Sequence, residues 1–300
     1  MRSFTVARTP EVGVGFHCVT DDQVTLSGVH VPGPDRSGPD PSASDPSASD
    51  PSASDPSASD PSVSDPSGPV GAFVLAHGFT HGIDKSATRA AIAAFAAHGP
   101  VVAADFRGHG RSGGRSSVGR DEVLDLDAVV RWTRAAGHGP VTVVGFSMGA
   151  AVAVRQAALG ADRPDAVVAV SAPSRWYVRE SAPMRRLHWL LEHPLAVQMG
   201  AALGVRLGEP WLDLPPSPVE AVPLITAPLL LVHGTEDDYF GPPHAIALQD
   251  ASAAAELWIE PGMGHGETAL TPALAGRIAG WSARTLAGAP GTVRPGPARA

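Results

Sequence analysis

One cysteine in 300 residues is the first scarcity, and it excludes two designs. Cys18 has no partner within the chain for a disulfide, and no thiolate cluster can hold a metal. Long apolar runs are also missing. No stretch reaches the roughly 18 consecutive apolar residues of a bilayer-spanning helix, so no transmembrane segment is expected. The opening MRSFTVARTPEVGVGFHCVT has no continuous apolar core, so no secretory signal is read and a cytoplasmic protein is expected. Positive charge is short as well. The formal net charge of −8 leaves no basic footprint, and no nucleic-acid partner is expected. No G-x-G-x-x-G opens a helix after a strand, so no dinucleotide cofactor is expected. His77 and His81 stand four residues apart, but no third ligand is apparent, and no metal is expected either.

Apolar residues are plentiful, at 43% of the chain, and can bury a large core. The clearest break in composition is DPSASDPSASDPSASDPSASDPSVSDPSG, from Asp40 to Gly68. Its PSxSD pentads repeat every five residues, a period of neither helix nor strand. Proline at that spacing blocks a helix, and the small polar side chains have nothing to bury. A disordered loop over about 33–69 is expected, inert because lengthening a loop costs little entropy. The six Asp between 40 and 65 also account for much of the negative charge.

On either side of this tract the chain is orderly. VGVGFHCVT and QVTLSGVHVP read as two strands joined at Asp21-Asp22. Thereafter strands alternate with helices: GAFVLAHG, KSATRAAIAAFAAHG, PVVAADFRGHG, GRDEVLDLDAVVRWTRAAG, VTVVGFSMGAAVAVRQAAL and DAVVAVSAP. That rhythm predicts a parallel sheet covered on both faces. It stops over residues 174–222, an amphipathic and helical stretch with Trp176, Tyr177, Trp189 and Leu190 set among arginines. It resumes with APLLLVHG, PPHAIALQDA, AELWIEP and TPALAGRIAGWSARTL. The middle segment is therefore an insertion, and 1–300 reads as a single domain.

G-x-S-x-G occurs twice, so the pattern alone does not select a serine. Ser112 lies among glycines and arginine with no strand before it and no helix after it, which predicts a flexible loop. Ser147 has a strand ending at Phe146 and a helix beginning near Gly149, which forces a sharp turn. Gly145 and Gly149 leave room for a strained backbone and close helix–strand packing. The turn lifts the hydroxyl above the carboxyl edge of the sheet, and the Met148 amide opens a helix N-terminus where a negative oxygen is stabilised. A serine attacks only if a base takes its proton, and that base needs an orienting carboxylate. His265 lies in the glycine-lined loop EPGMGHGE. The carboxylate candidates are Glu236, Asp237 and Asp238, after the strand PLLLVHG.

Taken in order, HGFT (77–80), DFRGHGRS (105–112), GFSMG (145–149), HGTEDDYF (233–240) and GMGH (262–265) resemble the α/β-hydrolase superfamily. The resemblance is to its lipase and esterase-like branch, of the serine aminopeptidase S33 or Hydrolase-4 type. It spans roughly Glu11 to Leu286 apart from the pentads. It implies a mostly parallel central sheet with an N-terminal antiparallel hairpin, helices on both faces and a helical lid at about 174–222. It also selects Asp237 among the three acids, makes DFRGHGRS a structural loop, and implies the Phe79 and Met148 amides as the oxyanion hole. The expectation is a serine hydrolase acting on a small-molecule carboxylic ester with an apolar acyl or ring group. Peptidase or perhydrolase and haloperoxidase-like chemistry would use the same Ser147, Asp237 and His265. A non-catalytic module binding a small ligand would keep only the scaffold.

Overall fold

Every residue of the five inner parallel strands of the sheet is buried, and nearly all are apolar, because helices cover both faces. The strands toward the two edges are only partly buried. The computed structural model describes residues 13–34, 71–252 and 254–288. Apart from its first two residues, the expected PSxSD loop lies outside these. The strands are β1 (Val14–Val19), β2 (Thr25–Val31), β3 (Ala72–Ala76), β4 (Val101–Ala104), β5 (Val141–Phe146), β6 (Ala166–Val170), β7 (Leu229–Gly234) and β8 (Glu256–Glu260). They form one sheet in the order β1-β2-β4-β3-β5-β6-β7-β8. β1 and β2 make an antiparallel hairpin, β2 is antiparallel to β4, and all other pairings are parallel. β2 and β3 are not neighbours, because β4 lies between them.

Alternation along each strand divides the core in two. Val74, Val143, Val167 and Leu231 point to one face, under α2 (Glu122–Ala135), α3 (Met148–Leu159) and α7 (Pro243–Asp250). Phe73, Val144, Val168 and Leu230 point to the other, under α1 (Ser86–Ala96) and α8 (Pro272–Gly288). The described ends that flank the pentad tract sit at the amino ends of the parallel strands. Val31 pairs with Val101 at the start of β4, and Gly71 directly precedes β3. The candidate site described below is at the opposite edge.

Between β6 and β7 lie α4 (Ala182–Glu192), α5 (Ala196–Ala202) and α6 (Pro218–Ala221). This insertion is less helical than its amphipathic sequence predicts. Past Gly204, at φ +82°, the chain runs back across the core as an arm. Val205 and Leu207 bridge to His109 and Ser116, and backbone bonds join Ser116 N–H to Arg206 C=O and Gly208 N–H to Ser116 C=O, each at 2.8 Å. Tertiary hydrogen bonds override local helix preference here. Among the described residues no helix is long and apolar enough to cross a membrane.

Candidate active site

The turn between β5 and α3 sets Ser147 at φ +54°, ψ −116°, a conformation rarely adopted outside glycine. Close packing holds it there. A Cβ on Gly145 would stand 2.3 Å from the Gly149 carbonyl oxygen, and one on Gly149 would stand 2.2 Å from that of Ala76. Both glycines are therefore required, as the sequence pattern predicts. The Ser147 N–H is spent on the Val170 carbonyl at 3.0 Å, which leaves the side chain to face outward.

His265 reaches this serine from the loop after β8. Gly234, the last residue of β7, makes the approach possible: a Cβ there would meet the Met263 carbonyl oxygen at 2.0 Å. The Gly266 N–H donates to Ser171 Oγ at 3.0 Å and fixes the loop beyond the histidine. The Ser147 hydroxyl and His265 Nε2 are 2.9 Å apart, and His265 Nδ1 lies 2.8 Å from Asp237 Oδ2. A carboxylate only accepts, so Nδ1 carries the proton and Nε2 is free to accept from the hydroxyl. The Tyr239 ring stacks on the imidazole at 4.3 Å.

Of the three adjacent acids, Glu236 and Asp238 face solvent, while the Asp237 side chain is fully buried. Its Oδ1 also accepts from the Tyr239 and Phe240 N–H groups at 2.9 and 3.0 Å. Burial pushes the carboxyl upward, but hydrogen bonding and charge from His265, with the Phe240 N–H, outweigh it and hold Asp237 below its ordinary 3.8. It stands ionised opposite the imidazole.

The Phe79 amide is oriented by its neighbours' hydrogen bonds. The Gly78 carbonyl, in the same peptide plane, accepts from His81 N–H at 3.0 Å and from His77 Nδ1 at 2.8 Å. The Gly78 N–H donates to Glu267 Oε1 at 2.9 Å, and the Phe79 carbonyl accepts from His109 Nε2 at 2.5 Å. Among the described residues only the Phe79 N–H of this set is left without a partner, and so is the Met148 N–H that opens α3. Both residues line the same pocket as Ser147 and His265. Burial, then the charge of His109, keeps His77 well below 6.5 and neutral. Its Nε2 accepts from the Phe106 N–H at 3.0 Å, so both ring nitrogens serve the backbone. Ser112 is buried and not in a flexible loop: its hydroxyl donates to the Asp105 carbonyl and accepts from the Ser27 N–H.

The pocket above these groups holds about 990 Å³. Its floor comes from loops at the carboxyl ends of β3, β5, β7 and β8, and its walls from the insertion. Trp176 and Trp211 meet edge to face at 5.2 Å, and Tyr177 joins them at 6.2 Å from Trp211. Three features escape the sequence reading. Tyr239 and Glu267 look like ordinary loop residues, although Glu267 follows His265 by only two positions. The third is the segment 116–119, whose Val118 is held at φ +55°. Glu122, fully buried, accepts there from Ser116 Oγ, the Ser117 N–H, Ser117 Oγ and the Gly119 N–H.

A parallel sheet whose sharp strand-to-helix turn presents a serine at its carboxyl edge is the architecture of a hydrolase. The chain belongs to the alpha/beta hydrolase family, whose model matches residues 73–275. Among solved structures, the esterase Pf2001 of Pyrococcus furiosus is similar over 95% of this chain and 99% of its own, with TM-score 0.64 and 22% identity. The esterase RhEst1 from Rhodococcus sp. ECU1013 aligns over 91% and 98%, with TM-score 0.57 and 17% identity. Est1E from Butyrivibrio proteoclasticus, solved with ferulic acid bound, aligns over 90% and 99%, with TM-score 0.57 and 16% identity. At such identities these likenesses are of fold. No curated protein sequence matches.

Proposed function

We propose that the chain is a serine hydrolase of the lipase and esterase-like branch, cleaving a carboxylic ester through an acyl-enzyme. The observation that carries this reading is the continuous line from Asp237 through His265 to the Ser147 hydroxyl, at 2.8 and 2.9 Å. His265 takes the hydroxyl proton on Nε2 as Oγ bonds to the carbonyl carbon. Asp237 holds the tautomer and balances the imidazolium. The Phe79 and Met148 N–H groups receive the oxyanion, and Met148 adds the positive end of the α3 dipole. Collapse breaks the bond to the leaving alkoxide, which takes the proton from His265. Water, deprotonated by the same base, then releases the acid and restores Ser147.

Residues 174–222 act as a lid in this reading, and the aromatic wall of Trp176, Tyr177 and Trp211 suits an apolar acyl or ring group. Peptidase chemistry with the same triad stays the alternative. Of the insertion's acids that could hold a substrate amine, Glu180 and Glu192 are engaged with Arg175 and Arg179, while Glu209 lines the pocket with no ion pair among the described residues. The test is hydrolysis of p-nitrophenyl esters from acetyl to dodecanoyl by wild type and Ser147→Ala. Turnover that disappears in the variant supports the reading. A folded wild type that hydrolyses none of the series, or a Ser147→Ala protein as active as wild type, removes it.

A further inference from the structure

Glu267 has no part in the proton path, yet its placement is costly. It is 4% exposed, and among the described residues no arginine or lysine pairs with it. Burying a carboxylate is unfavourable unless donors replace its water. Among the described residues its carboxylate accepts one hydrogen bond, and that comes from the turn after β3. The Gly78 N–H gives Oε1 a bond of 2.9 Å, and His81 Nδ1 lies 3.6 Å from the same oxygen. Gly78 and His81 are the two ends of that turn, closed by the His81 N–H on the Gly78 carbonyl. Phe79 lies between them. A Cβ on Gly78 would stand 3.2 Å from Oε2, close to contact distance, so the carboxylate lies directly against the turn.

Glu267 is also joined through two peptide bonds to His265. The intervening Gly266, at φ +57°, is tied by its N–H to Ser171. We infer that Glu267 is a positioning residue, a strut that locks the turn carrying the Phe79 N–H to the loop carrying the base. The inference rests on the proposed hydrolase reading for its catalytic meaning, but not for its structure. With the strut in place, the oxyanion donor and the base keep one spacing across Ser147. Without it, the Gly78 N–H loses its acceptor, and among the described residues the side-chain bonds left on the 78–81 turn are those from His77 and His109 to its carbonyls.

The experiment compares Glu267→Ala, Glu267→Gln and Glu267→Asp with wild type by ester kinetics and amide hydrogen exchange. Glutamine keeps an oxygen in reach of the Gly78 N–H; alanine does not, and aspartate is one methylene short. Expected for Ala and Asp is a kcat lower by about 10–100-fold with KM within about threefold, since a donor is displaced and not deleted. Gln should restore kcat to within about fivefold. Gly78 amide exchange should be faster by about tenfold or more in Ala and Asp and near wild type in Gln. Should Ala not fold, Asp against Gln carries the comparison. An unchanged Gly78 exchange rate in a folded Ala or Asp variant overturns the strut, as does a loss that appears in KM alone. If wild type turns over no ester, the hydrolase reading falls, and the exchange rates alone still decide the strut.

Discussion

Replacing Gly149 with alanine would place a methyl group 2.2 Å from the Ala76 carbonyl oxygen and 2.6 Å from that of His77. An ordinary carbon–oxygen contact needs about 3.3 Å, so roughly 1 Å must be found. Both obstacles are backbone atoms at the end of β3, and no rotamer change clears them. α3 must therefore move away from the sheet. Overpacking of this kind costs about 1–3 kcal/mol, and an obstacle that cannot rotate puts the cost near about 3. For a chain of this size that lowers the melting temperature by about 6–12 °C. Function should suffer more than stability. Ser147 and the Met148 N–H begin α3 and travel with it, and a displacement near 1 Å at a reacting group costs about 100-fold. Circular-dichroism melting and p-nitrophenyl acetate kinetics read the two effects. Gly15→Ala is the control, because its Cβ would meet nothing nearer than 3.9 Å. A Gly149→Ala protein that melts within about 2 °C of wild type and turns over within about threefold would refute the packing argument.

Four other outcomes follow from the same geometry. Asp237→Asn should lower kcat by about 1,000–10,000-fold with KM little changed, because nothing then fixes His265 with its proton on Nδ1. The same carboxyl, held below 3.8, contributes stability that is complete above that value and lost as pH falls through its folded value. Melting followed from pH 6 downward should therefore fall more steeply in wild type than in Asp237→Asn below about pH 4. Burial, with the Asp125 charge, pushes the Cys18 thiol up to about 12, so Ellman's reagent should be inert toward the folded chain at pH 8 and titrate one thiol in denaturant. Trp211→Ala removes the ring that meets Trp176 and Tyr177, and should raise KM for aryl-bearing esters by about tenfold while sparing acetyl esters.

Local pattern made the sheet legible. Runs such as VVAA and LLLVHG are short, β-branched or aliphatic, and bounded by glycine and proline, so their burial on both faces follows from composition. The elbow was legible for a second reason: two glycines at fixed offsets around Ser147 answer a steric need that close packing between β3 and α3 imposes. Strand order was not, since nothing local to β2 says that it pairs with β4 and not β3. Nor could residue type separate Glu236, Asp237 and Asp238, which differ in burial and not in chemistry. The arm at 205–208 escaped for a like reason, its geometry being set by bonds to residues about 90 positions earlier. Glu267 is the extreme case. Its partner Gly78 is 189 residues away, and only the folded chain brings the two together.

The most direct test of the central claim is covalent labelling of the purified protein with a fluorophosphonate, read by intact mass and peptide mapping. The account predicts one adduct per chain, located on Ser147, absent from Ser147→Ala and slowed strongly in His265→Ala. An adduct on another serine, or a folded wild type that takes up no label while a known serine esterase in the same tube does, would contradict it.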